Sequence, residues 1–305
     1  MLEAVDSFTI GTEPEGENGT GHEMSKNRPE NSAWGGSPLV GEAEIFGSLG
    51  DRRGTSLFLG RFTLDEVMTV LEKKSLAREA RRRGLWPLLV DLETGDFPLH
   101  RLRFFVEAKD PGHLVVDLKL REIVYDPAGK LPAPVSPPPF PCLFFEWLTL
   151  QNPREEFSEN RGPLPGQQHP GLGMSKKIMD VFGFLGKVTH QAGLLASPAY
   201  FHNAVLFSRY FRFVNPVKEA EIRVIHRLFA HVSIKQMAWI VHLGHLKTSS
   251  GAKYEWKAEE QILPIRRDVK AVFDSRAYRD AVREAMAGFR FVVDGEAAAR
   301  LGQGD

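Results

Sequence analysis

The chain has 305 residues, 42% hydrophobic and 26% charged, which is enough apolar material for one large or two small domains. Its 39 Lys and Arg residues balance 39 Asp and Glu residues, so no overall charge favours nucleic acid or an anionic membrane surface. The single cysteine, Cys142, excludes an internal disulfide and fits a reducing cytoplasm, and no segment approaches the roughly 18 apolar residues of a bilayer span.

The N-terminal part is poor in bulky apolar side chains. From about residue 11 to 38 it is dominated by Gly, Glu, Asn, Ser and Pro, which bury too little surface to offset the loss of chain entropy. We therefore predict a disordered leader over residues 1–50.

The first ordered elements are expected to be a short strand over 56–62 and an amphipathic helix. Thr63 followed by Glu66 predicts a capping box, and apolar residues recur at helical spacing as far as Gly84. Three arginines precede this glycine, where cations complement the C-terminal end of a helix.

Alternating and apolar runs then predict strands. Runs over 86–92, 102–107 and 113–125, separated by turns, indicate an antiparallel meander. After a proline-dense connection over 132–141, residues 142–150 have the length and aromatic content of a buried central strand. We expect Cys142, at its start, to be a small core residue rather than a reactive thiol.

The segment from Gln168 to Gly173 has the features of an anion-binding loop. Gly171 and Gly173 let a ligand approach the backbone, and the predicted helix over 174–191 directs its positive dipole end and free N–H groups to the loop. An ordinary glycine turn is the alternative. The loop therefore predicts a phosphate-binding site.

The remaining patterns complete a mixed α/β fold. We predict a strand over 193–196, a helix over 200–210 and a strand over 212–214. Helical periodicity over 217–246 and 269–287 flanks a strand-like run over 254–265. The predicted fold is a mixed, mostly antiparallel central sheet flanked by helices, with a sheet domain over 51–215 and a mainly helical C-terminal extension over 216–305.

This element order, with Gln168, Gly171 and Gly173 between a strand and a helix, resembles the GNAT acyltransferase superfamily. Its Q/R-x-x-G-x-G/A loop binds the pyrophosphate of acetyl-CoA or another acyl-CoA. The resemblance implies that the central strand separates from its neighbour and that the pantetheine arm binds in the gap. It implies the following cofactor-binding residues: Leu148, Leu150, Gln168, His169, Gly171, Leu172, Gly173, Met174 and Asn203.

Two residues are candidates for the chemistry that the resemblance implies. Glu146, flanked by Phe145 and Trp147, is the candidate general base that deprotonates an amine acceptor. Tyr210, seven residues after Asn203, is at the position of the acid that protonates the departing CoA thiolate. A surface carboxylate and a core tyrosine are the alternatives, and a second register puts Ser208 at the tyrosine position.

The expected activity is transfer of an acyl group from acyl-CoA to a small-molecule or protein amine by direct attack. The alternative is a non-catalytic acyl-CoA sensor or assembly module. Residues 152–165, rich in Arg and Glu, form either a lid or an inert insertion. The apolar C-terminal helices pack on the core or form a homodimer contact.

Metal chemistry has a weaker basis in the sequence. His242 and His245 are three residues apart and would share a helix face, but no third ligand occurs at a matching spacing. We therefore expect no metal site.

Overall fold

The computed structural model describes residues 9–10, 56–132, 136–158 and 161–295. The predicted leader lies outside the described residues, except for Thr9 and Ile10, which form a short strand. The strands are β1 Thr9–Ile10, β2 Leu88–Glu93, β3 His100–Val106, β4 Leu114–Tyr125, β5 Phe140–Leu150, β6 Gly193–Ala196, β7 Arg212–Phe213, β8 Leu246–Thr248, β9 Gln261–Pro264 and β10 Phe291–Val293. The helices are α1 Leu64–Lys73, α2 Leu76–Arg82, α3 Ser175–Val188, α4 Phe201–Phe207, α5 Pro216–Leu228, α6 Ile234–His242, α7 Arg267–Phe273 and α8 Arg276–Met286.

One mixed sheet organises these elements. Its strand order is β2-β3-β4-β5-β6-β9-β7, and β1 joins it by pairing with β5. All of these neighbours are antiparallel except β5 and β6, which are parallel and connected through α3. The predicted class, a mostly antiparallel mixed sheet flanked by helices, is confirmed.

The C-terminal region contributes directly to this sheet. Strand β9 lies between β6 and β7, and Gln261 at its start is fully buried and donates a 3.0 Å hydrogen bond to the Ala204 carbonyl. The sheet therefore extends across residue 215, where the predicted boundary between domain and extension falls.

The first helical region departs from its prediction in two ways. Residues 56–62 do not form the predicted strand, because the chain turns back on itself and Phe58 pairs only with Phe62. The capping box of Thr63 and Glu66 is present, but the single predicted helix is two helices, because Ser75 adopts a left-handed φ of 59° between α1 and α2.

The C-terminal helices pack mainly on the body of the protein. Residues 217–246, with continuous apolar periodicity, form α5 and α6, and α6 begins at a capping box on Ser233. Ile222, Ile225 and Ile240 are at most 6% exposed and belong to one core cluster. Their apolar character is therefore explained by core packing.

Strand β5 is buried on both faces of the sheet. Leu148 and Leu150 lie in the same core cluster as the apolar residues of α1 to α3, whereas Cys142 belongs to a second cluster with residues of α7 and α8. Cys142 is fully buried, and this burial raises the pKa of its thiol to about 12. The thiol is protonated at neutral pH, and Cys142 is a core residue, as predicted.

Candidate functional site

The glycine loop leads into the N-terminus of α3. Gly171 and Leu172 are buried, and Gly173 has a φ of +63°, a conformation that favours glycine. Helix α3 begins at Ser175, and its N-cap residue Met174 makes no side-chain capping hydrogen bond. The positive end of the helix dipole therefore lies at the loop without a side-chain cap.

The backbone N–H groups from Gly171 to Lys177 form a continuous run of donors. None of them has a hydrogen-bond acceptor within the parts of the chain that the structure describes. The first helical bond of α3 is donated by the N–H of Ile178 to the Met174 carbonyl, at 3.1 Å. The first N–H groups of a helix have no acceptors within the helix, so this run suits an anionic ligand.

The carbonyl groups of the same loop are bonded to neighbouring residues. Gly171 accepts a 3.1 Å bond from the Arg161 guanidinium, and Gly173 accepts a 3.4 Å bond from that of Arg83. The Pro170 carbonyl accepts a 2.7 Å bond from the N–H of Asn152, a residue only 1% exposed. These contacts fix the loop through its carbonyl groups and leave its backbone N–H groups available for a ligand.

Positive charge predominates next to this loop. Arg83 and Lys177 form ion pairs with Glu79 at 3.0 and 3.4 Å, and Arg82 pairs with the same carboxylate. The bond from Arg82, with that from Arg83, lowers the pKa of Glu79 to about 2, so this carboxylate is charged at neutral pH. Three cations thus share one anion, whereas the charge of Arg161 is balanced by its ion pair with Glu155 at 3.0 Å.

The predicted lid or insertion, residues 152–165, folds against the loop. Glu155 accepts bonds from Asn152 at 2.8 Å and from Arg161 at 3.0 Å, which fixes the arginine that contacts Gly171. Arg154 forms an ion pair with Glu107, and Glu159 lies outside the described residues. The segment therefore braces the loop, and its role as a lid stays a prediction.

Glu146 lies at a bulge in β5. Lys119 of β4 pairs with Trp147 and the next residue, Leu120, pairs with Phe145, so Glu146 is the additional residue without a partner in β4. Its carboxylate lies 2.7 Å from Nε of Arg121, and this guanidinium also stacks over the Phe144 ring. The carboxylate of Glu146 therefore lies against a guanidinium, whereas its sequence neighbours Phe145 and Trp147 suggested an apolar environment.

Strands β5 and β6 part beyond Phe145. Their pairing covers four residues of each strand and ends at Phe145 and Ala196, whereas β5 continues to Leu150. Because β4 occupies the other edge of β5 at Leu148, β1 pairs with Leu148 and Thr149 on the edge that β6 has left. The edge predicted for pantetheine is thus covered at these positions by Thr9 and Ile10.

The other predicted residues have varied environments. Gln168 is exposed and His169 is half-buried, so solvent reaches both. Asn203, in α4, is fully buried, and Tyr210 packs against the cluster that contains the central strand. The roles of these four residues stay predictions.

An apolar cavity next to the loop is not evident from the sequence. It lies between α1, α2, α3 and the sheet, is partly open to solvent, and brings together Leu150, Leu172 and Met174. The sequence does show apolar faces on α1 and α3. The periodicity of these faces is the same whether the helices pack tightly or line a cavity, so it does not reveal the cavity.

A second, more polar cleft lies at the end of β6. Its empty volume is about 890 Å³, and its walls include His202, His242, Lys253 and Glu255. The ring of Tyr200 stacks on His202 at a centroid distance of 5.4 Å. These side chains come from three separate segments of the chain, so sequence spacing did not group them.

The histidine pair considered as a zinc site does not share a helix face. Helix α6 ends at His242, and Gly244, with a φ of +72°, turns the chain before His245. Among the described residues, no three His, Cys, Asp or Glu side chains cluster as metal ligands would.

Comparisons with known proteins assign no family. No family model matches the chain, and no curated protein or solved structure matches it either. Within the described parts of the chain, none of the helices has the length and hydropathy needed to cross a membrane.

Proposed function

We propose that this protein binds an acyl-CoA and transfers the acyl group to an amine, as GNAT N-acyltransferases do. The observation that carries the proposal is the run of available N–H groups from Gly171 to Lys177 at the start of α3. A pyrophosphate there would gain backbone hydrogen bonds, the helix dipole and the nearby arginines.

The geometry around β5 supports a thioester site close to this loop. Its pairing with β6 ends at Phe145, next to the bulge at Glu146, which leaves backbone groups of β5 for an extended ligand. The parallel pair is joined through the glycine loop and α3, the element order on which the resemblance rests. Pantetheine can bind along this edge of β5 only after Thr9 and Ile10 leave it.

In the proposed reaction, the carboxylate of Glu146 takes a proton from the ammonium group of the acceptor, either directly or through a water molecule. The amine nitrogen attacks the thioester carbonyl carbon, the C–S bond breaks, and an amide forms when the nitrogen loses its second proton. The CoA thiolate leaves and takes a proton from Tyr210, and the proton lost by the nitrogen restores the tyrosine hydroxyl. No covalent enzyme intermediate is needed, because both substrates are held together.

A non-catalytic acyl-CoA sensor is the second candidate. The ion pair between Glu146 and Arg121, at 2.7 Å, favours it, since a carboxylate that is held by a cation is less available to a substrate amine. The strand at Thr9 and Ile10 also favours it, because a segment displaced by a ligand can report binding.

Calorimetry with CoA and an assay of CoA release against a panel of amines distinguish these functions. If the protein is an enzyme, we expect Glu146→Gln to lower kcat by about 10²- to 10⁴-fold and leave the Kd for CoA unchanged. Glu284→Gln, an exposed carboxylate on α8, is the matched control. Binding without release for any amine would favour the sensor, and absence of CoA binding would contradict both functions.

A further inference from the structure

We propose that the apolar cavity between α1, α2, α3 and the sheet binds a long hydrocarbon chain whose anionic head lies at the glycine loop. In its thioester form this inference deepens the proposed function, since it names a long-chain acyl-CoA as the donor. The binding of the chain itself depends only on the cavity and on the charge around the adjoining glycine loop.

The lining of the cavity is almost wholly hydrocarbon. Of 25 residues that line it, 24 are apolar and the other is Glu66. The carboxylate of Glu66 accepts bonds from the backbone N–H of Thr63 at 2.7 Å and from its hydroxyl at 3.0 Å, so it is engaged in capping α1. A polar ligand inside the cavity would lose its hydration without gaining partners, which selects for a hydrocarbon chain.

The walls of the cavity have apolar side chains that the protein leaves partly uncovered. Val67, Val70 and Leu71 of α1 are only half-buried, and so are Val181 and Leu185 of α3. These half-buried apolar side chains line an open space. A bound hydrocarbon chain would remove their exposed surface from water, which favours binding. The cavity is also partly open to solvent, so a hydrocarbon chain can enter it from outside.

The glycine loop that adjoins the cavity has the opposite character. Leu172 and Met174 line the cavity and belong to the loop whose N–H groups lack acceptors in the described chain. Arg83 and Arg161 contact the carbonyl groups of the same loop. An apolar cavity beside a loop that is contacted by arginines complements an amphiphile with a negative head, such as a fatty acid or an acyl-CoA.

This arrangement predicts a specific dependence on chain length. Burial of each CH₂ group strengthens binding about fourfold. Titrations of CoA and of acyl-CoAs with 2, 8, 12 and 16 carbons should therefore give a Kd that falls steeply with length until the cavity is full. Palmitate, tested below its micelle concentration, should bind as well, because it carries the same chain and an anionic head.

Variants that fill the cavity provide the matched comparison. We expect Val70→Phe or Val181→Phe to weaken binding of palmitoyl-CoA at least tenfold and leave the Kd for CoA unchanged. The control is Val124→Phe at a position that is 75% exposed and outside the cavity. Two variants on different helices guard against one that fails to fold, and the chain-length series itself uses the unaltered protein.

The outcomes separate this inference from the proposed function. Equal Kd values for CoA and all its acyl forms would overturn the inference and leave a CoA protein. Binding of palmitate with no binding of CoA would support the cavity and reject the acyltransferase. Failure of every probe to bind would reject both.

Discussion

At the scale of single residues, burial determines the charge state of His202. Its side chain is 2% exposed beneath the ring of Tyr200, and this burial, together with the nearby His242, lowers its pKa to about 3. The imidazole is therefore neutral at physiological pH and presents a hydrogen-bonding ring to the polar cleft. A neutral, buried imidazole also couples the stability of the fold to pH.

The direction of this coupling follows from the two pKa values. An unfolded chain binds a proton at His202 near pH 6.5, whereas the folded chain resists it down to about pH 3. Between these values the unfolded state binds more protons, so the free energy of unfolding falls as the pH is lowered, by up to about 1.4 kcal/mol per pH unit. We expect His202→Gln to flatten this slope in urea unfolding between pH 6.5 and 4.

The slope, rather than the absolute stability, is the quantity to compare. His226→Gln changes an exposed histidine and should leave the slope as it is in the unaltered protein. Equal slopes for the unaltered protein and His202→Gln would mean that His202 is protonated in the folded state.

At the scale of elements, the short strand β1 is the feature that bears most on ligand binding. It pairs with Leu148 and Thr149 on the edge of β5 that β6 leaves. An exposed strand edge is a template for any extended chain, and here the protein's own N-terminal segment occupies it. A ligand that needs this edge must compete with β1.

Removal of β1 should therefore strengthen binding of CoA. Deletion of residues 1–12 takes away a competitor that is tethered to the site, so we expect a severalfold lower Kd by calorimetry, with the free energy of unfolding changed little. Deletion of residues 20–31 shortens the same part of the chain by the same length and serves as the control. An unchanged or higher Kd after deletion of 1–12 alone would show that β1 does not compete with the ligand.

At the scale of the whole molecule, the central sheet depends on distant parts of the chain. Strand β7 pairs only with β9 among the described strands, and β9 also borders β6. The hydroxyl of Tyr278 donates a 2.6 Å bond to the carbonyl of Phe213, which ties α8 to β7. The sheet formed by residues 51–215 is therefore completed by residues that follow position 215 in the chain.

A truncation tests this dependence. We expect a chain that ends at residue 215 to lose cooperative unfolding, because β6 and β7 lose their shared neighbour and buried Gln261 no longer bonds to α4. A chain of residues 56–295 should unfold cooperatively, as measured by circular dichroism in urea. Cooperative unfolding of the shorter chain would mean that the boundary at residue 215 is a domain boundary after all.

Local patterns were sufficient to predict most of the sheet. Strand β6 begins and ends where its apolar run does, and the capping box of Thr63 and Glu66 marks the start of α1 as expected. These features depend on residues close in sequence, so the sequence alone contains the information. The break at Ser75 was missed because no glycine or proline marks it.

The sequence by itself determined the meander, the central strand and the glycine loop before α3, because each follows from side-chain periodicity or backbone chemistry within one segment. Only the tertiary structure decided that β9 enters the sheet, that Arg121 pairs with Glu146, and that α1 and α3 stand far enough apart to leave a cavity. Those features join residues far apart in the chain, and their geometry depends on how whole elements pack.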